Sequence, residues 1–361
     1  MALIIAIIFI ALGGFASGSF YLPLKYVKKW KWESGWIVYS IFALLIGPWI
    51  MAFITLNGVS EVISGAQAPS IYWPIIFGAG WGVGGLTWGL SIRYLGIGLG
   101  NALPLGLTSA LSTLIGPFVP IMINPGLRPN GFIEAVSAKM DKIFAGTPGA
   151  LIIVSVIVSL VGIGICSWAA SRKDKEQKGG QDELNKEFNL RKGLLVALVA
   201  GIMSACFAFG EYAGSELTVL SEKMNPGSIW QSNTVFAVLL IGGFIVNIIY
   251  CLIQSARNKS FKDFTSKQFP VSRYFLLASL AGILWFAQFV FKGIGTTSLP
   301  ESMAFINWSL LFTFVIVFSN IIGLLTKEWK GVSKTTLAIL FTGLLVLIIS
   351  VGLVGYAAYL S

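Results

Sequence analysis

The sequence predicts an all-α integral membrane protein of ten transmembrane helices, arranged as two inverted five-helix repeats. Three observations predict it. Of the 361 residues, 56% are hydrophobic and only 11% are charged, against about 25% charged in a soluble domain. The mean hydropathy is +0.82, so water is not the main solvent. The lysines and arginines fall in alternate loops, and that alternation inverts between the halves of the chain.

A bilayer core takes about 20 apolar residues per helix. Apolar runs bounded by charges or turn residues give ten such spans. The first five cover 2–24, 35–56, 71–94, 98–123 and 148–171. The second five cover 193–212, 228–256, 271–295, 298–326 and 335–359. The first apolar run has no basic segment before it and continues to Tyr21 and Leu24. It therefore reads as a span and not as a cleaved signal. Abundant glycine, 41 residues, fits helices that must approach closely without a hydrophobic drive between them.

Orientation follows from basic charge, which collects in cytoplasmic loops. With the N-terminus outside, the inner loops take Lys25, Lys28, Lys29, Lys31, Arg93 and the cluster between Arg172 and Lys192. They also take the run from Arg257 to Arg273 and Lys327, Lys330 and Lys334. Only Arg128, Lys139, Lys142, Lys223 and Lys292 are left outside, five of 25. The net charge of +10 is thus a topology signal, and nucleic acid is not expected as a partner.

The charged stretch 172–192 reads as a cytoplasmic linker between a first repeat, 1–171, and a second, 193–361. The first repeat has a basic loop after its first helix. The second has an acidic one there, with Glu211, Glu216 and Glu222. An odd number of helices per half inverts the second copy, as these charges require. The spacing of Gly14, Ser17 and Phe20 recurs in Gly201, Ser204 and Phe207. Inverted repeats are common in secondary transporters.

Several chemistries are excluded. There is no histidine, which removes the commonest general base and metal ligand. Cys166, Cys206 and Cys251 sit in apolar stretches without metal-ligand spacing and read as small buried hydrophobes. No metal or cofactor is expected. The glycines of the third span follow no strand and lead to no Gly-Lys-Ser/Thr, so nucleotide-driven pumping is not expected either. A membrane-embedded enzyme would need clustered catalytic groups that the sequence lacks. The remaining reading is a carrier driven by an ion gradient or by the solute's own gradient.

An ionisable residue within a span costs about 2.5–3.5 kcal/mol on insertion scales and points to function. Three qualify: Glu211 near the outer end of the sixth span, Lys292 near that of the eighth, and Glu301 in the first turn of the ninth. Glu301 and Glu211 are the candidates for carrying a proton. The bland reading is that these charges are solvated in the headgroup layer or paired with one another, and that Glu301 complements the helix dipole.

Sugar recognition needs rings to stack on and amides to bond hydroxyls. Trp81 and Trp88, seven apart in the glycine-rich third span, share a face. Trp285 and Gln288 follow on the eighth span, Asn307 and Trp308 on the ninth. Asn101 opens the fourth, which Pro104, Pro117 and Pro120 interrupt. The bland reading of each is an interhelical contact.

Several segments resemble the L-rhamnose–proton symporter family of the drug/metabolite transporter superfamily. They are Phe20-Tyr21-Leu22-Pro23-Leu24-Lys25 with Val27-Lys28-Lys29-Trp30, Phe77-Gly78-Ala79 with Trp81-Gly82, and Arg93-Tyr94-Leu95-Gly96. Glu187-Phe188-Asn189-Leu190, Ile306 with Trp308, and Lys327-Glu328-Trp329 complete the set. The resemblance covers nearly the whole chain in family order. It implies uptake of L-rhamnose or another 6-deoxyhexose with a proton across the bacterial inner membrane. The chain departs from the family pattern at Ala304, where that pattern has an aspartate, and at Glu211 and Lys292. A carrier or exporter of another small metabolite on the same scaffold is the alternative.

Overall fold

The protein is described by a computed structural model covering residues 2–127, 131–144, 146–177, 190–299 and 306–360. All regular structure among these residues is helical. Among the described residues nine helices are long and apolar enough to cross a membrane, and one bent pair, taken as a single span, makes a tenth. In chain order they are α1 (Leu3–Leu24), α2 (Trp32–Thr55), α3 (Pro69–Leu95) and α4 (Leu99–Leu114 continued by Gly116–Ile123). Then come α5 (Gly146–Gln177), α6 (Leu190–Met224), α7 (Asn233–Asn258), α8 (Val271–Thr297), α9 (Asn307–Leu325) and α10 (Lys334–Ala357).

Helical backbone runs unbroken from Pro69 to Leu114. A straight rod of that length would reach about 69 Å, twice a bilayer core. The chain instead folds back between α3 and α4. Ser91 Oγ donates to the Gly100 carbonyl at 3.0 Å and Trp88 Nε1 to Asn101 Oδ1 at 2.9 Å, pairs that a straight helix would hold about 14 and 20 Å apart. Pro104 explains the first bond. It has no N–H to bond the carbonyl four residues back, so the Gly100 oxygen is free for Ser91. Gly100 admits the turn because a Cβ there would collide with Ile92 Cα.

Prolines shape two other spans. α4 bends by 41° between Leu99–Leu114 and Gly116–Ile123, where Pro117 lacks the N–H that would continue the hydrogen-bond ladder. In α2 a π-helical stretch, Ile41–Ile46, precedes Pro48; such stretches mark interrupted ladders and often functional sites.

Some boundaries differ from the sequence expectation. α6 continues past Tyr212, and the acidic segment read as loop forms a further helix, Ser215–Met224, after a break at Gly214. Glu211 lies in the last turn of Leu190–Ala213, just before that break. Two helices lie outside the ten spans, Val59–Gly65 and the amphipathic Phe132–Phe144. Among the described residues α9 runs Asn307–Leu325, and Ser298 caps the end of α8. The linker residues 178–189 and the segment 300–305 lie outside the described residues.

The spans form two bodies. In the first, α6 packs on α3 and α4; in the second, α1 packs on α8 and α9. α7 lies against both α3 and α2, α2 also lies against α8, and α5 pairs with α10. Glycines permit these approaches. A Cβ at Gly14 would lie 2.7 Å from the Phe314 carbonyl carbon, and one at Gly84 would lie 2.6 Å from Ser204 N. A Cβ at Gly242 of α7 would fall on the Ile75 carbonyl oxygen of α3. The three cysteines are free and buried.

The loops joining α1–α2, α7–α8 and α9–α10 share one face, the basic face. There Lys25 pairs with Glu328, and Gln177 Nε2 donates to the Glu328 carbonyl at 2.7 Å. Asp263 accepts from Lys31 N and Ser34 Oγ, both at 2.8 Å. On the opposite, acidic face Asn57 and Asn225 exchange bonds of 2.9 and 3.0 Å.

Two predictions follow from this packing. Gly242→Val should destabilise by about 1–3 kcal/mol through overpacking. Gly164→Ala, with nothing near its Cβ, should be neutral or stabilising by up to about 1 kcal/mol. Thermal unfolding in detergent separates the two. The second concerns pH. Partial burial raises the Glu328 pKa, but the Lys25 ammonium, the Thr326 hydroxyl and Lys173 outweigh it and hold the carboxyl below its ordinary 4.5. Its contribution is then complete above that value and is lost as pH falls through the lower folded one. The Tm gap between the wild type and Glu328→Gln should stay constant from pH 7 to about 5 and close in stronger acid.

Candidate functional site

A cavity of about 220 Å³ lies between the two bodies. At about 30 Å³ per water it has room for roughly seven waters, the scale of one monosaccharide. The first body contributes Trp81, Gly85 and Trp88 from α3, Leu105, Thr108 and Ser112 from α4, and Ser204, Phe207 and Ala208 from α6. The second contributes Ser17 from α1, Trp285, Gln288 and Phe289 from α8, and Trp308, Phe312 and Val315 from α9. A second cavity of about 280 Å³ shares Trp81, Gly85 and Trp285 and extends to Trp32 and Tyr250, towards the basic face.

Trp81 and Trp285 stand in both walls, stacked at 5.4 Å with 27° between planes. Beside them Phe207 stacks on Phe289 at 4.4 Å, and Trp308 meets Phe207 edge-on at 5.4 Å. Each of these contacts joins one body to the other. The polar groups are neutral: four hydroxyls, from Ser17, Thr108, Ser112 and Ser204, and the Gln288 amide. Gln288 Nε2 donates to the Trp285 carbonyl at 2.8 Å, which leaves its oxygen as an acceptor. Thr108 Oγ1 lies 2.7 Å from the Pro104 carbonyl and 3.1 Å from that of Gly201, tying α4 to α6.

One helical turn from the cavity, towards the acidic face, lies an ion pair. Lys292 is four residues beyond Gln288 on α8, and Glu211 three beyond Ala208 on α6, so both continue the cavity-lining faces. Lys292 Nζ lies 2.6 and 2.7 Å from the two Glu211 carboxylate oxygens. The lysine is fully buried and the glutamate side chain is 15% exposed. The ammonium also lies 4.2 Å from the Trp308 ring centroid and 5.7 Å from that of Phe236. A desolvated cation over such rings gains about 2 kcal/mol. Trp308 thus touches the cavity and the ion pair together.

The structure brings Trp81, Trp88, Trp285, Gln288 and Trp308 into one cavity wall. Asn101 stands behind it and holds Trp88. Asn307 lies apart from the lining and donates from Nδ2 to Thr296 Oγ1 at 3.1 Å. Its Oδ1, like Trp308 Nε1, is buried without a partner among the described residues. Glu211 and Lys292 are paired and enclosed by protein, not solvated. Glu301 lies outside the described residues. The sequence reading missed Ser17, Thr108, Ser112 and Ser204 as lining. Ser17 and Ser204 carried a signal, as the middle members of the recurring Gly-Ser-Phe spacing.

Removing one member of a buried pair strands the other charge, at a cost of about 3–5 kcal/mol, while replacing both costs far less. Glu211→Ala should lower the detergent Tm strongly. The double variant Glu211→Gln/Lys292→Met should recover most of that loss.

The family profile of the L-rhamnose-proton symport protein (RhaT) matches residues 1–359. An L-rhamnose-proton symporter of Yersinia pestis (strain Pestoides F) is 32% identical over 358 residues, covering 98% of each chain. An L-rhamnose-proton symporter of Yersinia pseudotuberculosis serotype O:1b (strain IP 31758) matches to the same extent.

Proposed function

Because the chain belongs to the L-rhamnose–proton symport family, we propose that it imports L-rhamnose or a related 6-deoxyhexose with a proton, by alternating access across a bacterial inner membrane. The observation that carries this reading is the neutral, aromatic-walled cavity between two helix bodies, with a buried carboxylate one turn away. A 6-deoxyhexose offers hydroxyls and an apolar methyl end. The cavity offers hydroxyls and an amide for the first and Phe207, Phe289, Phe312 and Val315 for the second. Among the described residues no charged side chain lines it, which suits a neutral solute.

The two-repeat architecture is part of the proposal, and the packing supports it. Advancing each helix number by five, modulo ten, turns the α6 contacts with α3 and α4 into the α1 contacts with α8 and α9. It also turns α7 on α3 into α2 on α8, and α4 on α5 into α9 on α10. The basic face is then cytoplasmic by its loop charges. Sugar contacts are assigned to Trp81, Trp88, Trp285, Gln288 and Trp308, with Asn101 and Asn307 as supporting amides. The proton is assigned to Glu211 or Glu301. Coupling requires that proton and sugar bias the same two-state equilibrium.

In proteoliposomes with an acid exterior, L-rhamnose or another 6-deoxyhexose should accumulate and alkalinise the outer medium. Gln288→Ala and Trp285→Ala should each raise KM about tenfold, the equivalent of 1.4 kcal/mol. Glu211→Gln or Glu301→Gln should abolish accumulation. If neither does so, the proton assignment is wrong; if no sugar in a panel of 6-deoxyhexoses moves while another metabolite does, the substrate reading is wrong.

A further inference from the structure

We propose that Lys292 discharges the proton carried by Glu211, by closing onto the carboxylate when the two bodies meet on the acidic side of the cavity. This rests on the reading of Glu211 as the proton carrier and adds a positioning role for a residue outside that reading.

The pair joins the bodies. Glu211 belongs to α6, packed on α3 and α4, and Lys292 to α8, packed on α1. Any motion that opens the cavity to the acidic face must part them. Among the described residues nothing else nearby replaces either partner. Tyr212 follows Glu211 on α6, and its hydroxyl is buried without a partner among the described residues. α7 presents Phe236 and α9 presents Trp308 to the ammonium. The only charged residue of α3 and α4 is Arg93, at the basic end, and α1 and α9 have none within their spans. Glu301 lies in the segment outside the described residues.

The chemistry follows from that isolation. With the bodies apart, Glu211 has lost its counter-ion and faces the outer side, where a proton can replace the ammonium as its partner. It takes a proton from the outer side. With the bodies together, the ammonium arrives at 2.6–2.7 Å. A carboxyl that kept its proton would leave that ammonium buried with only two aromatic faces. The O–H bond therefore breaks, the proton leaves to water on the cytoplasmic side, and the ammonium, unchanged in protonation, becomes the partner of the carboxylate. One proton crosses per closure.

Proteoliposomes carrying Lys292→Met, Lys292→Arg, Glu211→Gln and Glu211→Gln/Lys292→Met, with L-rhamnose as the probe, test this. In Lys292→Met, Glu211 keeps its proton throughout the cycle. Proton-driven accumulation should fall at least tenfold while sugar counterflow persists, and the counterflow should extend to higher pH than in the wild type. Lys292→Arg should restore accumulation. Wild-type accumulation in Lys292→Met overturns the proposal. So does loss of counterflow in both Lys292→Met and the double variant when both elute as folded protein, since that outcome marks a packing role. Glu211→Gln separates the two levels: if it still accumulates sugar, the failure is in the carrier assignment; if it does not while Lys292→Met does, the failure is in the role given to Lys292.

Discussion

Hydrocarbon cannot hydrate a charge, and the arrangement of this chain depends on that constraint. Lysines, arginines and carboxylates are driven to the span ends, where they form the ties of the basic face: Lys25 with Glu328, Glu176 with Ser333 and Thr336, and Asp263 with Lys31 and Ser34. Between the faces, Glu211 and Lys292 satisfy each other. A pair of this kind is poor evidence for stability, because desolvation offsets much of its attraction. Its position matters more. It lies across the interface of two bodies, one turn from a cavity, and it touches the cavity wall through Trp308. That placement makes a functional reading stronger than a structural one.

The same solvent made much of the fold legible. Span number and loop alternation follow from where charge is tolerated, so composition and basic-residue positions carried them. The fold-back of α3 on α4 was legible at Pro104 and Gly100 only as an interruption. Its mechanism, a proline-freed carbonyl taken up by Ser91, is a tertiary contact. Phe132–Phe144 was not legible, because a short amphipathic helix with charges at Glu134, Lys139 and Asp141 reads as loop when spans are sought by hydropathy.

The site was legible by residue type but not by pairing. Trp and Gln beside glycine-rich spans stood out because they are unusual among aliphatic neighbours. Serine and threonine did not, because single hydroxyls are common in membrane helices, where they bond their own backbone. Glu211 and Lys292 are separated by 81 positions. Only the folding of α6 and α8 around α7 brings them together, and a periodicity argument along one helix cannot see it.

The two kinds of contact in the structure differ in how they can yield. Within each body, helices meet backbone to backbone through glycines, as at Gly14 on Phe314 and Gly84 on Ser204, and such close packing leaves few intermediate positions. Between the bodies the contacts that line the cavity are ring on ring, Trp81 with Trp285 and Phe207 with Phe289, together with one ion pair, while α2 bonds α7 through Trp36 with Asn247 and Thr55 with Asn233. Those side-chain contacts can part without disturbing a helix. Each end carries a tie of the same form. On the acidic face, the segment after α2 bonds the segment after α6 through Asn57 and Asn225. On the basic face, the segment after α7 bonds the segment after α1 through Asp263 and Lys31. Advancing the helix numbers by five exchanges the two. Both ties are made here, so the exits that they guard have equivalent fastenings. The ion pair lies on the acidic side of the cavity and so makes its two ends unequal.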